Sequence, residues 1–270
     1  MDLNALVIVI TGASNGIGAG TAKLAAERGA RVVVSDVDSA TGEALVATIK
    51  AAGGEALFQA CDVTDEAQVK TLMQVAAAHF GGIDVLHNNA GIHESMIAND
   101  LTLEGMSRET FERVISINLL GPWLCAKYAL PYLKKSNQAS IINAGSTSSV
   151  AGYPQCQAYA SSKGGVVQLS KSLAVDLAPH GIRVNCYCPG SIKTKMVDEF
   201  LAAAPDPEAM LSTMTLTHLI PRMGEAEDVA ELVCFLASKQ SSFVNGVAWL
   251  IDGGSLAWRG TLDVLGMKEA

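Results

Sequence analysis

Nowhere does the chain approach the ~18 consecutive apolar residues that a membrane-spanning helix needs, and no basic leader stands before the first apolar run, which begins just after Met1-Asp2. The expectation is a cytoplasmic protein without a membrane partner. Positive charge is also scarce: 19 Lys and Arg against 27 Asp and Glu leave a formal net charge of -8. Nucleic acids and anionic membrane surfaces are gripped by clustered Lys and Arg, so neither is expected as a partner, and a small molecule is. The six cysteines (Cys61, Cys125, Cys156, Cys186, Cys188 and Cys234) include no C-x-x-C pair. They read as reduced core thiols, and no metal site is expected. Cys186 and Cys188, two apart on an expected strand, would share one face. Tandem repeats, low-complexity tracts and linkers are missing too, so organisation must come from alternating strand and helix signals.

Those signals are regular. The 270 residues are 49% hydrophobic in one steady texture, which suits a single large domain spanning 1–270. Short apolar runs, several of them rich in Val and Ile, at Leu6–Thr11, Arg31–Asp36, Ala56–Cys61, Asp84–Asn88, Ser140–Ala144, Arg183–Tyr187 and Val247–Ile251 read as seven strands. Helical spacing between them covers Ala19–Arg28, Ser39–Ala52, Asp65–Phe80, a long Arg108–Leu133, the segment around Tyr159, and Ala226–Ala237. Such βαβ alternation predicts an α/β fold: a doubly wound, Rossmann-type, mostly parallel seven-stranded sheet with helices on both faces.

Between the first strand and the first helix lies Thr11-Gly12-Ala13-Ser14-Asn15-Gly16-Ile17-Gly18. Glycines there let the backbone turn sharply and approach a pyrophosphate at the positive end of the helix. Asp36 closes the second strand about 20 residues further on, where a dinucleotide fold places the carboxylate that accepts hydrogen bonds from the adenosine ribose. A carboxylate repels a 2′-phosphate, and its neighbours Asn15 and Val37 bring no cation, so the expected cofactor is NAD. A plain turn role for Asp36 is the alternative.

Tyr159 and Lys163 are four apart and share one face of a helix. An ammonium beside a phenol favours the phenolate and would move its pKa from near ~10 toward neutrality, a proton-transfer pair. Ser146 follows the strand Ser140–Ala144 and would emerge at the carboxyl edge of the sheet, near the phenol, though Ser148 and Ser149 compete for that place. Pro122 has no amide to give the carbonyl of Asn118, which is left to find water or another donor within reach of Lys163, or simply to mark a kinked helix around a buried Asn. Gly164 and Gly165, costly inside a helix, imply close packing, either internal or between subunits.

Taken together, Gly12 to Gly18, Asn89-Ala90-Gly91, Asn118, Ser146, Tyr159 with Lys163, and Pro189-Gly190 resemble the short-chain dehydrogenase/reductase family over nearly the whole chain. The resemblance implies an NAD-dependent oxidoreductase of a secondary alcohol or its ketone. Tyr159 would be the general acid/base, Lys163 would hold the nicotinamide ribose and lower the phenol's pKa, Ser146 would position the carbonyl, and Asn118 would maintain a water relay. It also implies that Asp62 and Val63 contact adenine, that Asn89 holds the cofactor side of the sheet, and that Ile192 and Thr194 meet the carboxamide. Asp62 as an ordinary helix-preceding cap stays open. A substrate flap at 193–222, with Pro205 and Pro207, a C-terminal tail at 255–270 bearing Trp258, Leu262 and Leu265 that docks on a partner subunit, and a homotetramer complete the expectation. Ala144-Gly145-Ser146 departs from the family, which frequently has paired serines there. His93, in a somewhat extended segment, either lines the substrate mouth or is an exposed loop residue. Two rivals remain: a 3-oxoacyl thioester reductase, and a non-catalytic NAD-binding protein.

Overall fold

The strands form on short apolar runs, richest in Val and Ile at the first two. In the computed structural model of the chain, which describes residues 1–202, 204 and 206–258, β1 (Val7–Thr11) lies inside a seven-stranded sheet. To one side are β2 (Arg31–Asp36) and β3 (Glu55–Ala60); to the other are β4 (Val85–Asn88), β5 (Ser140–Ala144), β6 (Arg183–Pro189) and β7 (Ala248–Ile251). The order is β3-β2-β1-β4-β5-β6-β7, and every pair is parallel, with Val9 opposite both Val33 and Leu86. The chain runs outward from β1 to β3 and then returns to start again at β4. A crevice therefore opens at the carboxyl ends of β1 and β4, the place where ligands bind in such sheets.

Both faces of the sheet are covered, as a strand apolar at every position requires. Along β1 side chains alternate: Val7 and Val9 pack with Val69, Leu72 and Met73 of α3 (Glu66–Phe80) and with Leu124 and Ala129 of α5 (Gly121–Leu133). Ile8 and Ile10 pack with Ala22 and Ala25 of α1 (Gly16–Glu27), with Leu45 and Ile49 of α2 (Ser39–Ala51), and with Val229 and Val233 of α9 (Ala226–Ala237). The α1–α9 contact is close because of Gly20, where a Cβ would stand 3.0 Å from that of Ala226.

The long helix expected over Arg108–Leu133 is divided. α4 (Arg108–Ile115) runs into a π-turn at Ser116–Leu120 before α5 begins. Pro122 cannot donate back to residue 118, and the ladder widens: the Gly121 amide donates to Ser116 instead. The Tyr159 segment is α6 (Gln157–Leu177). The segment expected to form a flap contains two helices, α7 (Lys195–Ala202) and α8 (Pro207–Leu216). Pro205, Leu262, Leu265 and all of the tail beyond Trp258 lie outside the described residues. Among the described residues no helix is long and apolar enough to cross a membrane, and all six cysteines are free and buried.

Candidate active site

α6 brings Tyr159 and Lys163 to the carboxyl edge of β5 and β6. Lys163 is 3% exposed; its Nζ donates to the Ala144 carbonyl at 2.8 Å and sits 5.5 Å from the centre of the Tyr159 ring. Ser146 caps the 3-10 turn Thr147–Ser149, accepting from the Ser148 amide at 3.1 Å, while the Ser149 hydroxyl accepts from the Ser146 amide. Ser149 is thereby committed to the turn and Ser148 takes a long contact from Cys156 Sγ, while the Ser146 side chain hydrogen-bonds the phenol and draws its pKa down. Asn118, fully buried, has its side chain occupied: Oδ1 accepts from the Ile92 amide at 2.9 Å, and Nδ2 donates to the Ile92 carbonyl at 2.8 Å and to Ser162 Oγ at 3.1 Å. Gly91 lies where these groups converge, since a Cβ there would stand 3.3 Å from both Asn118 Oδ1 and Lys163 Nζ.

The glycine turn forms the other half of the site. Gly12 has φ +62°, and a Cβ on it would lie 2.6 Å from Ala90 Cα; one on Gly18 would lie 2.4 Å from the Gly12 carbonyl. Neither position tolerates a side chain. Asn89 fastens the turn, donating to the Gly12 and Thr11 carbonyls. Asp36 accepts from the Ser14 and Asp38 amides at the rim of a cleft of ≈ 450 Å³. Gly12, Asn15, Gly16 and Ile17 of the turn line this cleft together with Asp62, Val63, Ala90, Gly91, Tyr159, Lys163, Pro189 and Thr194, and a Cβ on Gly16 would stand 3.1 Å from Thr194 Cγ2. Ser14 and Gly18 are buried behind the turn, Ser14 Oγ donating to the Asp38 carbonyl. Gly190 and Ile192 line a smaller neighbouring cavity with His218. Asp62 holds its own turn through the Thr64 amide and hydroxyl and pairs with Arg113 at 3.4 Å, while the cap of α3 is Asp65. A concavity of ≈ 620 Å³ around Arg31, Phe80 and Asp84 lies elsewhere, at the amino-terminal edge of the sheet and away from the crevice at the carboxyl ends of the strands.

The sequence matches, over residues 12–255, the family described as Enoyl-(Acyl carrier protein) reductase. It is 41% identical over 251 residues to cis-4-hydroxycyclohexanecarboxylate dehydrogenase of Sinomonas cyclohexanicum, spanning 93% of this chain and 96% of that one. It is 37% identical over 249 residues to L-fucose dehydrogenase of Bos taurus, spanning 92% and 88%. The crystal structure of levodione reductase superposes with a TM-score of 0.89 at 34% identity, over 94% of this chain and 99% of that one. The chain belongs to the short-chain dehydrogenase/reductase family.

Within this dehydrogenase/reductase the electrostatics of the pair differ from expectation. Burial pushes the Tyr159 phenol up to about 12, with Ser146 pulling the other way, and burial lowers Lys163 to about 8. The ammonium does not bring the phenol toward neutrality in this structure, because loss of solvent penalises the charged form of each group. The phenol is the resting form.

Three contributors gave no local signal in the sequence. His87 and Tyr187, both fully buried, meet at 2.9 Å, and the Tyr187 hydroxyl donates to Asn89 Oδ1 at 3.2 Å. The sheet interior is thus wired to the glycine turn. Glu94, also fully buried, accepts from the first amides of α6. His93 stacks near Tyr159, ring centres 5.1 Å apart, and against Phe200 of α7 at 6.0 Å. It is therefore packed between Tyr159 and Phe200 and is not an exposed loop residue. Its Nδ1 accepts from the Ser95 amide, which leaves the proton of the neutral ring on Nε2. Burial holds it below its usual range, only partly offset by Glu94. His93, Glu94 and Cys156 place a nitrogen, a carboxylate oxygen and a thiol within 4.8 Å of one another. Protein amides already occupy the carboxylate and Nδ1 of that set.

Proposed function

We propose that the chain is an NAD-dependent oxidoreductase interconverting a secondary alcohol and its ketone, with Tyr159 as the general acid/base. What supports the reading is that Tyr159, Lys163, the glycine turn and Asp36 all line one cleft. The close-packed turn, with no room for a Cβ at Gly12 or Gly18, fits the approach of a pyrophosphate. Asp36 stands where ribose hydroxyls would donate to it, beside an exposed Val37 that supplies no cation for a 2′-phosphate, which supports NAD over NADP. A bound nicotinamide supplies the hydride acceptor or donor.

The chain itself handles the proton. In ketone reduction the Tyr159 hydroxyl gives its proton to the developing alkoxide, which Ser146 also hydrogen-bonds. In alcohol oxidation the phenolate takes the proton. Lys163, anchored on the Ala144 carbonyl, keeps a cationic group beside the ring. Positioned acid/base groups contribute ~10² to 10⁴ in rate. Because the phenol is the resting form, reduction is served near neutral pH, and oxidation gains with each rise in pH, up to about tenfold per unit while the phenolate fraction is small. A flat oxidation profile would remove Tyr159 from the role.

Met96, Ile97 and Met196 line the mouth with apolar surface, and His93 adds one polar edge. Together with relatives named for a hydroxycyclohexanecarboxylate and for L-fucose, this supports a compact ring alcohol as substrate. The homotetramer is supported by apolar side chains left exposed on adjacent helices, Trp123 and Leu120 at 43% and Val175 at 74%; light scattering checks it. The direct test of function is turnover of cyclic and acyclic alcohols, their ketones and 3-oxoacyl thioesters with each cofactor. Ring alcohols with NAD should dominate, and Asp36→Ala should relax the preference against NADP. Fastest turnover of the thioester would assign the chain to that chemistry, and tight NAD binding without turnover would make it a binding protein.

A further inference from the structure

α6, the helix that carries Tyr159, starts without a cap of its own. Cys156 stands at the capping position and makes no capping hydrogen bond, so the first amides of the helix need acceptors from elsewhere. They find them on Glu94, whose Oε1 accepts from the Ala158 amide at 3.1 Å and whose Oε2 accepts from the Tyr159 amide at 3.2 Å. A fully buried carboxylate is costly unless its oxygens are satisfied. These are satisfied by amides at the positive end of a 21-residue helix, and His93 Nε2 faces Oε2 at 3.8 Å. One of the two amides belongs to Tyr159 itself. The main chain of the acid/base residue is thus pinned by a side chain of the segment that walls the substrate mouth.

We propose that Glu94 is a positioning residue for proton transfer: its carboxylate fixes the main chain of Tyr159, and its negative charge favours the neutral phenol over the phenolate. The inference rests on the acid/base reading of Tyr159 given above. Other titratable or polar groups face the phenol from every side: Lys163 and Cys156 on its own helix, Ser146 on the loop after β5, Tyr187 and Cys188 on β6, and His93 beside Glu94. On α7, Lys195 and Glu199 pair with each other at 3.7 Å. Substitution at Glu94 removes none of these groups; loss of its charge makes His93 still harder to protonate and Cys156 easier to ionise, so measuring Glu94→Gln beside Glu94→Asp, which keeps the charge, isolates the charge of Glu94.

Three variants separate the parts of the role. Glu94→Gln keeps a carbonyl oxygen for the amides and removes the charge, Glu94→Asp keeps the charge on a shorter arm, and Glu94→Ala removes both. Each is measured beside Tyr159→Phe for kcat and KM in alcohol oxidation as a function of pH, and for NAD affinity. For Glu94→Gln the rise of oxidation with pH should shift ~0.5–1 unit toward lower pH with NAD affinity unchanged. Glu94→Ala should lose about tenfold or more in kcat with a smaller change in KM, and Glu94→Asp should recover part of that loss. If Glu94→Ala does not fold, the Glu94→Gln profile alone decides. A Glu94→Gln profile that superimposes on that of the unaltered protein, while Tyr159→Phe is inactive, overturns the inference and leaves the acid/base reading standing. An active Tyr159→Phe overturns both.

Discussion

A Cβ at position 145 would lie 2.8 Å from Cys188 Sγ and 2.9 Å from Cys186 Sγ. That accounts for the glycine where the family frequently has serine: two thiols on one face of β6 have taken the room. Gly145→Ser should destabilise the fold by about 1–3 kcal/mol. Adding Cys188→Ala should recover part of the loss, a coupling that urea unfolding of the four-member cycle measures; strictly additive effects would contradict the contact. At this scale the sequence was readable only where spacing along one element decides the matter. The shared face of Cys186 and Cys188 follows from a period of two, and that of Tyr159 and Lys163 from a period near four. What the thiols press against does not, and neither does the burial of Glu94 or His87, whose partners lie 65 and 100 positions away.

Helix α6 shows what an element adds. Gly164 and Gly165 are adjacent, yet a Cβ on Gly165 would stand 2.8 Å from Leu119 Cδ2, whereas on Gly164 it would meet only the Ser149 carbonyl at 3.7 Å. Gly165 therefore serves an internal contact with the π-turn, and Gly164 has space. Gly164→Ala should stabilise the helix by about 0.5–1 kcal/mol, and Gly165→Ala should gain less or destabilise, because Leu119 must give way. Thermal unfolding of the two variants compares them; equal gains would contradict the packing. All seven strands were legible from their short apolar runs, β3 without a single β-branched residue, with ends shifted by at most a residue or two. The break between α4 and α5 was not legible as such, since apolar spacing continues through a π-turn. Only the missing amide of Pro122 marked the spot, and it signalled a freed carbonyl without showing how the ladder would adjust.

For the molecule as a whole, the parallel, doubly wound sheet followed from βαβ alternation, while the strand order that creates the crevice between β1 and β4 and the electrostatics of the interior required the three-dimensional arrangement. Burial lowers His87 to about 3, against about 6.5 when unfolded. Between these values the unfolded chain binds a proton that the folded chain does not, so stability rises with pH there and is lost on acidification, by up to about 1.4 kcal/mol per pH unit from this group. His87→Gln, which keeps a donor for Tyr187, should flatten the acid limb of a stability profile; an unchanged slope would contradict the neutral buried ring. The central claim is that Tyr159 exchanges the substrate proton at the edge of the cofactor cleft. Its most direct measurement is the rate of nicotinamide reduction by Tyr159→Phe in a single turnover, with NAD and a turned-over alcohol both saturating. The account predicts retained NAD binding and a rate lowered ~10²-fold or more, and a rate within a few-fold of that of the unaltered protein would contradict it.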